Sequence, residues 1–402
     1  MRKLIPTLAV FLAFSAFAQQ DVEEAKRTVA AIETALKTRP EDPALWFYLS
    51  RFQSQAGDNA ASIAALDKTM QYGEGLLPVQ RDFAKVWGEP AFQQRVKQME
   101  AKLPRLDFHP TAFELEDRGL IPEGIAHDAK THSFFVGSVA KGTIVRVEPP
   151  ASPYLFAGPE AGLDSVLGIA IDAPRRILYA VSTSALTNEG QKKLRNAVVA
   201  FDVDSGRLLR RVDVPEAKQL NDVAVAPGGR VYVSDSESGA IFEITATGPA
   251  KMLVPEGQIR GSNGLAAWPD LKRLYVAHST GIALVDPVSG AVKRVAPPPR
   301  ESVAGIDGLY AWQGGLVGVQ NVTTPGRVIF MDLSADGATI TRVRTLLSHH
   351  HPALDEPTTG APTDTGFYLL AATGVAHYNR QGKIDDPGAI RKPTVLRIPL
   401  PR

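Results

Sequence analysis

Ser262-Asn263-Gly264-Leu265-Ala266 is one of six related segments that recur along this 402-residue sequence. Each segment places one residue, most often polar, at the start of a short apolar run, and successive segments are 42 to 54 residues apart. We call the residues at this position the anchor residues, and they are Glu123, Leu167, Asn221, Asn263, Asp307 and Thr359. Repeats of this length, built from short apolar runs and turns, are typical of a β-propeller in which each repeat forms one blade. We therefore predict an all-β, six-bladed β-propeller over residues 107–402.

Both ends of the propeller sequence carry an additional strand pattern. Residues 113–115 precede the first repeat, and Thr394–Ile398 alternates after the last one. A closed ring of blades leaves only short exposed strand edges. Either segment is therefore a candidate for the outer strand that completes a blade and closes the ring.

The N-terminus carries the pattern of a secretory signal. Arg2 and Lys3 precede an apolar run over residues 4–14, and Ala16-Phe17-Ala18 then supplies a small-residue cleavage site. The run is shorter than the roughly 20 apolar residues that a membrane-spanning helix requires. We predict a signal peptide over residues 1–18 and a periplasmic or secreted location, with no membrane span.

Residues 19–106 have a helical period. Apolar residues recur every three or four positions as far as residue 104, Pro43 stands at a helix start, and Ala56-Gly57-Asp58 separates two helices. Residues 44–70 resemble one tetratricopeptide repeat. We predict a small all-α, tetratricopeptide-like module, which serves either as a scaffold for the propeller or as a platform for a protein partner.

Composition excludes several classes of function. Lys and Arg number 44 against 43 Asp and Glu, which gives a formal net charge of +1 and no electrostatic signature of nucleic-acid binding. The chain has no cysteine, which excludes disulfides, thiolate metal sites and thiol nucleophiles. It also lacks the G-x-S-x-G, H-E-x-x-H and phosphate-loop motifs of serine hydrolases, zinc proteases and NTPases. Any metal must be held by oxygen or imidazole.

The anchor residues are expected to meet. The innermost strands of a propeller line its central channel, so equivalent positions at their starts converge on one end of the axis. Five of the six anchor residues are polar, and Glu123 and Asp307 are acids. Carboxylate and amide oxygens suit Ca²⁺ or another hard divalent cation. Asn and Asp before Gly also form turns, but turn formation does not require Glu123, so we predict a divalent metal site.

Further polar residues are candidates for the channel wall, because they lie near strand ends of the last three repeats. These candidates are His278, Gln320, Asn321 and Glu356. The run His349-His350-His351 precedes Pro352, and neighbouring residues on an extended chain point to opposite sides, so we interpret it as a solvated loop rather than a transition-metal site. Residues 184–196 form an insertion in the second repeat, which we interpret as a loop and a candidate substrate lid.

Four segments resemble the metal-site and substrate-site segments of the SMP-30/gluconolactonase/LRE-like family. They are Pro122-Glu123-Gly124, Leu220-Asn221-Asp222, Ser262-Asn263-Gly264 and Ile306-Asp307-Gly308, and they occur in the order of the family. The similarity extends from about Leu120 to Ala372. The resemblance implies a six-bladed propeller, a divalent metal, often Ca²⁺, on its axis, and hydrolysis of sugar lactones or related esters.

The resemblance also implies roles for individual residues. Glu123, Asn263 and Asp307 correspond to metal ligands, with Ca²⁺ as the first expectation and Zn²⁺ or Mn²⁺ as alternatives. Asn221 corresponds to a residue beside the metal that faces substrate or water, and Asp307 also corresponds to the general base. Sugar lactonases of the family can carry an Arg that binds substrate oxygens, and this chain has Gln219 at that place. This departure argues against a sugar-like substrate.

These expectations lead to one function and one alternative. Ca²⁺ acidifies water less than Zn²⁺ does, so hydrolysis of a metal-polarised lactone requires a carboxylate that takes a proton from water. Asp307 is the first candidate for this base, followed by Asp222 and Glu356. We predict a secreted, metal-dependent lactonase or esterase that acts on a small molecule. The alternative is a non-catalytic propeller that binds a small ligand or a protein partner, with the helical module as the interaction platform.

Overall fold

The structure, a computed structural model, describes residues 8–187, 194–379 and 381–401, with side chains from residue 22 onward. The chain divides into two compact units, residues 1–103 with 299–302 and residues 104–298 with 303–402. Residues 1–7 of the predicted signal peptide lie outside the described residues, so secretion stays a prediction. Among the helices that the structure describes, none has the length and hydropathy of a membrane span.

The described part of the first unit contains four helices, α1 (Leu8–Leu36), α2 (Pro43–Ala56), α3 (Asn59–Tyr72) and α4 (Pro90–Glu100). The start of α2 is capped by the carboxylate of Asp42, which accepts from the backbone N–H of Ala44 at 3.0 Å. Its end is capped by Gly57 in the left-handed region, at φ 91°. Two residues join α2 to α3, and the helices pack against each other. The tetratricopeptide identity of this pair stays a prediction.

The core of the helical unit is aromatic. Phe83 lies between Phe47 and Phe92, with ring centroids 5.5 and 5.4 Å away. Phe83 and Val86 continue the helical spacing of the sequence, but that prediction is wrong here, because residues 80–88 form turns. Both side chains are fully buried, so their spacing reflects burial in the core rather than a helix.

The second unit is a six-bladed propeller, as predicted, and each blade is one four-stranded antiparallel sheet. The first strand, β1 (Thr111–Glu114), belongs to blade 6. Blade 1 contains β2 (Pro122–Asp128), β3 (Ser133–Ser138), β4 (Thr143–Val147) and β5 (Tyr154–Ala157). Blade 2 contains β6 (Ser165–Asp172), β7 (Ile177–Thr183), β8 (Asn196–Asp202) and β9 (Leu208–Asp213). Blade 3 contains β10 (Leu220–Val225), β11 (Val231–Asp235), β12 (Ile241–Ile244) and β13 (Lys251–Val254). Blade 4 contains β14 (Leu265–Ala267), β15 (Leu274–His278), β16 (Gly281–Val285) and β17 (Val292–Arg294). Blade 5 contains β18 (Ile306–Trp312), β19 (Gly315–Gln320), β20 (Arg327–Leu333) and β21 (Ile340–Leu347). Blade 6 contains β22 (Gly360–Thr363), β23 (Gly366–Ala372) and β24 (Thr394–Ile398).

Blade 6 joins the two ends of the propeller sequence. Its strand order is β22, β23, β24, β1, so the N-terminal strand is outermost and the C-terminal strand lies beside it. Thr111 pairs with Leu396 in this antiparallel ladder. Both predicted closing segments are therefore in the same blade, and β1 is its outer strand. Pairing of these two strands closes the ring within blade 6.

Large apolar side chains fill the space between neighbouring blades. Phe135, Tyr232, Tyr275 and Phe367 are fully buried. The innermost strands of neighbouring blades contact one another around the ring, from β2 with β6 to β22 with β2. These contacts bring the starts of the inner strands together, and with them the anchor residues.

A buried ion pair links blades 1 and 2 at the C-terminal end of β2. The carboxylate of Asp128 receives two bonds from the Arg176 guanidinium, at 2.5 and 2.8 Å. Arg176 also binds Asp204, at 2.7 Å, while the Thr131 hydroxyl and the Lys130 backbone N–H donate to Asp128. Burial raises the pKa of Asp128, but these bonds outweigh burial and lower the pKa below its ordinary value of 3.8. This carboxylate is held as a charge within the fold.

Candidate functional site

Four anchor residues lie at a β-bulge of an inner strand. In blade 1, Glu123 and Gly124 stand opposite the single residue Gly137 of β3. The same arrangement of two residues against one recurs at the anchor positions of blades 2, 3 and 5. A bulge bends its strand and re-aims a side chain. The sequence repeat therefore corresponds to a repeated backbone irregularity at the start of the inner strands.

Anchor backbones of neighbouring blades are in direct contact. A Cβ atom on Gly124 would lie 2.1 Å from the carbonyl oxygen of Leu167, and one on Gly264 would lie 2.3 Å from that of Asp307. There is no room for a side chain directed that way, and glycine follows the anchor residue in five blades. Blade 3 has Asp222 at this position instead.

Asp222, predicted as a catalytic residue, uses its carboxylate inside the ring. One oxygen accepts from the backbone N–H of Val223 at 2.8 Å, and the other accepts from that of Leu265 in blade 4 at 3.3 Å. Burial raises the pKa of Asp222 to about 7, against the effect of these two bonds. The carboxyl group therefore bridges blades 3 and 4.

Glu123 and Asp307 form the acidic centre of the site. Glu123 is 5% exposed, and its burial, followed by the charges of Asp307 and Asp222, holds the pKa of its carboxyl group well above the ordinary value. Burial also raises the pKa of Asp307 to about 6, although side-chain bonds from Asn321 and Asn263 lower it. The charges that raise these two pKa values are those of other carboxyl groups, so the site concentrates negative charge.

Three buried oxygen atoms at this centre have no hydrogen-bond donor among the described residues. They are Oε2 of Glu123, Oδ1 of Asn221 and Oδ1 of Asn321. The amide nitrogens are occupied, because Asn221 donates to Ser236 Oγ at 2.8 Å and Asn321 donates to Asp307 Oδ2 at 2.6 Å. A buried acceptor without a donor is costly. The geometry therefore leaves acceptor oxygens for a group that the described chain does not supply.

This donor set fits a hard divalent cation. Ca²⁺ binds about six to eight oxygens from carboxylates, amide carbonyls and water. Glu123 and Asp307 provide carboxylates, and the side-chain amides of Asn221, Asn263 and Asn321 provide carbonyl oxygens. A divalent cation at this centre would offset the carboxylate charges and would give the unpaired oxygens a partner.

Residues 356–359, before β22, support both acidic anchor residues. The two threonine hydroxyls of this segment donate to the backbone carbonyl of Glu123, and its proline carbonyl accepts from Asn321 Nδ2 at 2.9 Å. Glu356 has a left-handed backbone, at φ 54°, which residues other than glycine rarely adopt. Its charge adds to burial in raising the pKa of Asp307. The structure thus brings Glu356 and Asn321, two predicted channel residues, to the acidic centre.

Two other predicted channel residues, Gln320 and His278, have side chains that bond near their own blades, and a third, Gln219, lies before a strand. Gln320 is fully buried, and its side-chain oxygen accepts from Arg327 Nε at 2.6 Å. His278 ends β15, and its Nδ1 accepts from the Thr280 N–H at 3.3 Å. Gln219 precedes β10 and is half-buried. Their part in substrate binding stays a prediction.

Tyr310 is a member of the site that sequence reasoning missed. Its hydroxyl accepts from the Gly360 N–H at 2.9 Å. Burial, followed by the charge of Asp222, raises the pKa of Tyr310 well above its ordinary value, and the charges of Glu123 and Asp307 act in the same direction. Strict alternation along β18 places residues 307 and 310 on opposite faces. The repeat marks where the bulge of β18 lies, but it does not show how the bulge redirects the side chains that follow.

The histidine run and the insertion of blade 2 are separate features. His351 is 7% exposed, and its ring nitrogens bond to the His109 carbonyl at 2.9 Å and the Ala353 N–H at 3.1 Å. The prediction of a solvated loop is wrong for this residue, because its ring satisfies backbone groups inside the second unit.

Of the predicted lid, residues 188–193 lie outside the described residues.

Comparison with known proteins gives a likeness of fold. No family profile matches this sequence, and no curated protein matches it. The PQQ-bound aldose sugar dehydrogenase from Streptomyces coelicolor is similar, with a TM-score of 0.52 and 16% identity over 74% of this chain and 99% of that chain. A gluconolactonase from Xanthomonas campestris has a TM-score of 0.49 and 15% identity over 72% of this chain and 89% of that chain. A luciferin-regenerating enzyme has a TM-score of 0.46 and 14% identity over 72% of this chain and 95% of that chain. The similarity to the sugar dehydrogenase agrees with a propeller fold, and it bears on the fold alone.

Proposed function

We propose that this protein is a metal-dependent hydrolase of a lactone or related ester, with a divalent cation, most simply Ca²⁺, at the acidic centre. The observation that supports this proposal is the set of three unpaired buried oxygens beside carboxyl groups whose pKa values are raised by burial and by neighbouring carboxyl groups. Burying such groups without a counter-charge is unfavourable. A cation is the simplest partner that satisfies both the oxygens and the charges.

Glu123, Asn263 and Asp307 are the proposed ligands of this cation. The oxygens of Asn221 and Asn321 lie beside them and are available to the cation, to water or to substrate. When bound, the cation supplies a positive charge that polarises the carbonyl group of a lactone and stabilises the oxyanion that develops during hydrolysis.

Asp307 is the proposed general base. Asn321 and Asn263 both bond to its carboxylate, which fixes the orientation of the group toward an attacking water. Asp307 accepts one proton of that water while the water oxygen bonds to the acyl carbon. The ester C–O bond then breaks, and the same proton passes from Asp307 to the leaving alkoxide. The products are a hydroxy acid and the regenerated carboxylate.

The test is hydrolysis by the full chain with and without metal. The protein is stripped with EDTA, reloaded with Ca²⁺, Zn²⁺ or Mn²⁺, and assayed for acid release from a panel of γ-lactones, δ-lactones and aryl esters. We expect activity only after reloading, and a loss of about 100-fold or more in kcat/KM for Asp307→Asn. Asp336→Asn changes an exposed aspartate of the same blade and serves as the matched control, which keeps full activity.

Two outcomes would contradict parts of this proposal. Metal uptake without turnover of any substrate would favour the alternative, a propeller that binds an ion and a ligand or partner without catalysis. Metal uptake that is unchanged in both Glu123→Gln and Asp307→Asn would exclude the acidic centre as the metal site.

We further propose that the protein acts outside the cytoplasm, on the strength of the signal pattern over residues 1–18. Expression of the full chain should yield a periplasmic or secreted product that begins at Gln19, as determined by intact mass. A product that retains Met1 in the cytoplasmic fraction would contradict this location.

A further inference from the structure

One position is occupied by large side chains in nearly every blade. It is the cross-strand pair of the second and third strands whose second-strand member, from blade 1 to blade 6, is Phe135, Tyr179, Tyr232, Tyr275, Val317 and Tyr368. In five blades the third-strand member of this pair is large: Arg146, Glu243, Leu284, Phe330 and Arg397. Directly opposed side chains on one sheet face are in contact. In blade 1, for example, the Arg146 guanidinium lies 5.5 Å from the ring centroid of Phe135.

Blade 2 departs from this pattern. Its pair is Tyr179 with Ala200, so a methyl group stands where the other blades have a long or aromatic side chain. The facing turn of blade 3 carries Gly228 and Gly229, which also add no side-chain volume. A cavity of about 350 Å³ is left between blades 2 and 3. This volume is at the lower end of the range, roughly 300–1,000 Å³, of small-molecule sites.

The floor of this cavity is apolar and its mouth is basic. Val198, Val212 and Ile244 are buried side chains of the floor. Arg175 and Arg210 also line the cavity, and small-molecule sites typically combine an apolar lining with a few polar groups of this kind.

The two arginines differ in their partners. Arg175 is paired with the carboxylate of Asp172, at 3.0 Å. Arg210 instead donates to three backbone carbonyls, at 2.6 Å to Thr245, at 2.5 Å to Ala246, and to Gly248. Within the described chain no carboxylate pairs with Arg210, so its positive charge has no side-chain counter-ion. A bound anion would supply one.

Tyr179 completes the mouth of the cavity. It is half-buried, and burial raises the pKa of its hydroxyl, so the phenol is a hydrogen-bond donor at neutral pH. A donor beside an uncompensated guanidinium suits a carboxylate, because the two groups donate to the same kind of acceptor.

We propose that the cavity between blades 2 and 3 is a binding site for a small apolar carboxylate. The hydrocarbon part lies on the floor formed by Val198, Val212 and Ile244, and the carboxylate binds Arg210 and the Tyr179 hydroxyl at the mouth. The site is separate from the acidic centre, and it stands whether or not that centre is catalytic.

The test uses octanoate as the probe, with 1-octanol and octylamine as probes of equal chain length and different charge. Isothermal titration calorimetry on the full chain should show binding of octanoate at least about tenfold tighter than that of either control, as expected for a charge-assisted hydrogen bond. Equal affinity for octanol and octanoate, or no binding of octanoate at millimolar concentration, would overturn the proposal.

Two variants assign the binding to this cavity. Ala200→Leu introduces the side chain that blade 4 already has at the equivalent position, Leu284, and should abolish octanoate binding in a protein that still folds. Arg210→Gln should weaken binding about tenfold or more, while Arg211→Gln, its neighbour bonded to Asp213, should leave it unchanged. Undiminished binding in Ala200→Leu would overturn the site.

Discussion

Glu123 and Asp128 are two buried carboxylates on the same strand, β2, and they have opposite surroundings. Asp128 is 1% exposed and Glu123 is 5% exposed, so both side chains are shielded from solvent. Asp128 is bonded by the Arg176 guanidinium, and its pKa is lowered. Glu123 has one oxygen without a donor, and burial, followed by the charges of Asp307 and Asp222, raises its pKa.

These two carboxylates have different partners. A buried charge with a complete set of donors stabilises the fold in which it is held. A buried carboxyl group surrounded by other carboxyl groups weakens the fold and is typical of a functional site. Two ends of one strand therefore serve different purposes, and each of the following changes tests this distinction.

The largest expected effect is at the paired end. Arg176→Met removes the guanidinium and leaves Asp128 as a buried charge without its main partner. We expect a loss of about 3–5 kcal/mol in the free energy of unfolding, measured by urea titration of the variant against the wild type. A loss below about 1 kcal/mol would show that water reaches Asp128 and that the pair is not structurally important.

At the acidic centre we expect a smaller effect, in which loss of the carboxylate raises the free energy of unfolding near neutral pH instead of lowering it. The pKa of Asp222 is raised from 3.8 to about 7 by burial, so the folded protein binds more protons than the unfolded protein between these values. Stability is therefore highest below pH 4 for this group and falls as the pH rises to about 7. Asp222→Asn should remove a decline of about 3 kcal/mol between pH 4 and 7 in EDTA, measured as the difference between the two unfolding curves.

The contribution of Asp128 does not mask this decline. Its pKa is lowered, so the stability it provides is complete above its ordinary value of 3.8 and is lost only at lower pH. A wild-type and variant pair with parallel pH profiles in EDTA would contradict the raised pKa of Asp222.

The smallest effect is expected at an exposed pair of similar geometry. Arg195 binds both oxygens of Asp164, at 2.5 and 3.1 Å, but its side chain is 57% exposed. Arg195→Met should change the free energy of unfolding by about 1 kcal/mol or less, in the same urea titration. A cost as large as that of Arg176→Met would mean that bidentate geometry, rather than burial, determines the value of these pairs.

Much of the fold could be predicted because the repeated segments contain residues that the backbone conformation requires. Glycine follows the anchor residue in five blades, and at Gly124, Gly168 and Gly264 the next blade leaves no room for a side chain. The two closing strands were recognisable by their position outside the repeats. Helix prediction failed at Phe83 and Val86, because buried residues in turns can share the spacing of a helix.

Less of the candidate site could be predicted. The anchor residues mark the starts of the inner strands, but they do not show how the bulge there redirects side chains such as that of Tyr310. The orientation of the Asn221 and Asn321 amides depends on donors and acceptors in distant segments. The partner of Asp128 lies 48 residues along the chain. Contacts of this range are properties of the closed ring and are not encoded in any local pattern.

The recurrent bulge has a consequence for how this protein can change over evolution. Blade 2 has the same bulge as blades 1, 3 and 5 but presents Leu167 there, which has no polar atom. Strand pairing at the bulge therefore accommodates a carboxylate, an amide or a hydrocarbon side chain. The polar groups at the axis can change while the backbone around the axis stays the same. A single substitution at such a position can add or remove a polar side chain without changing the fold. Related chains can therefore diverge in reactivity while their backbones remain superimposable.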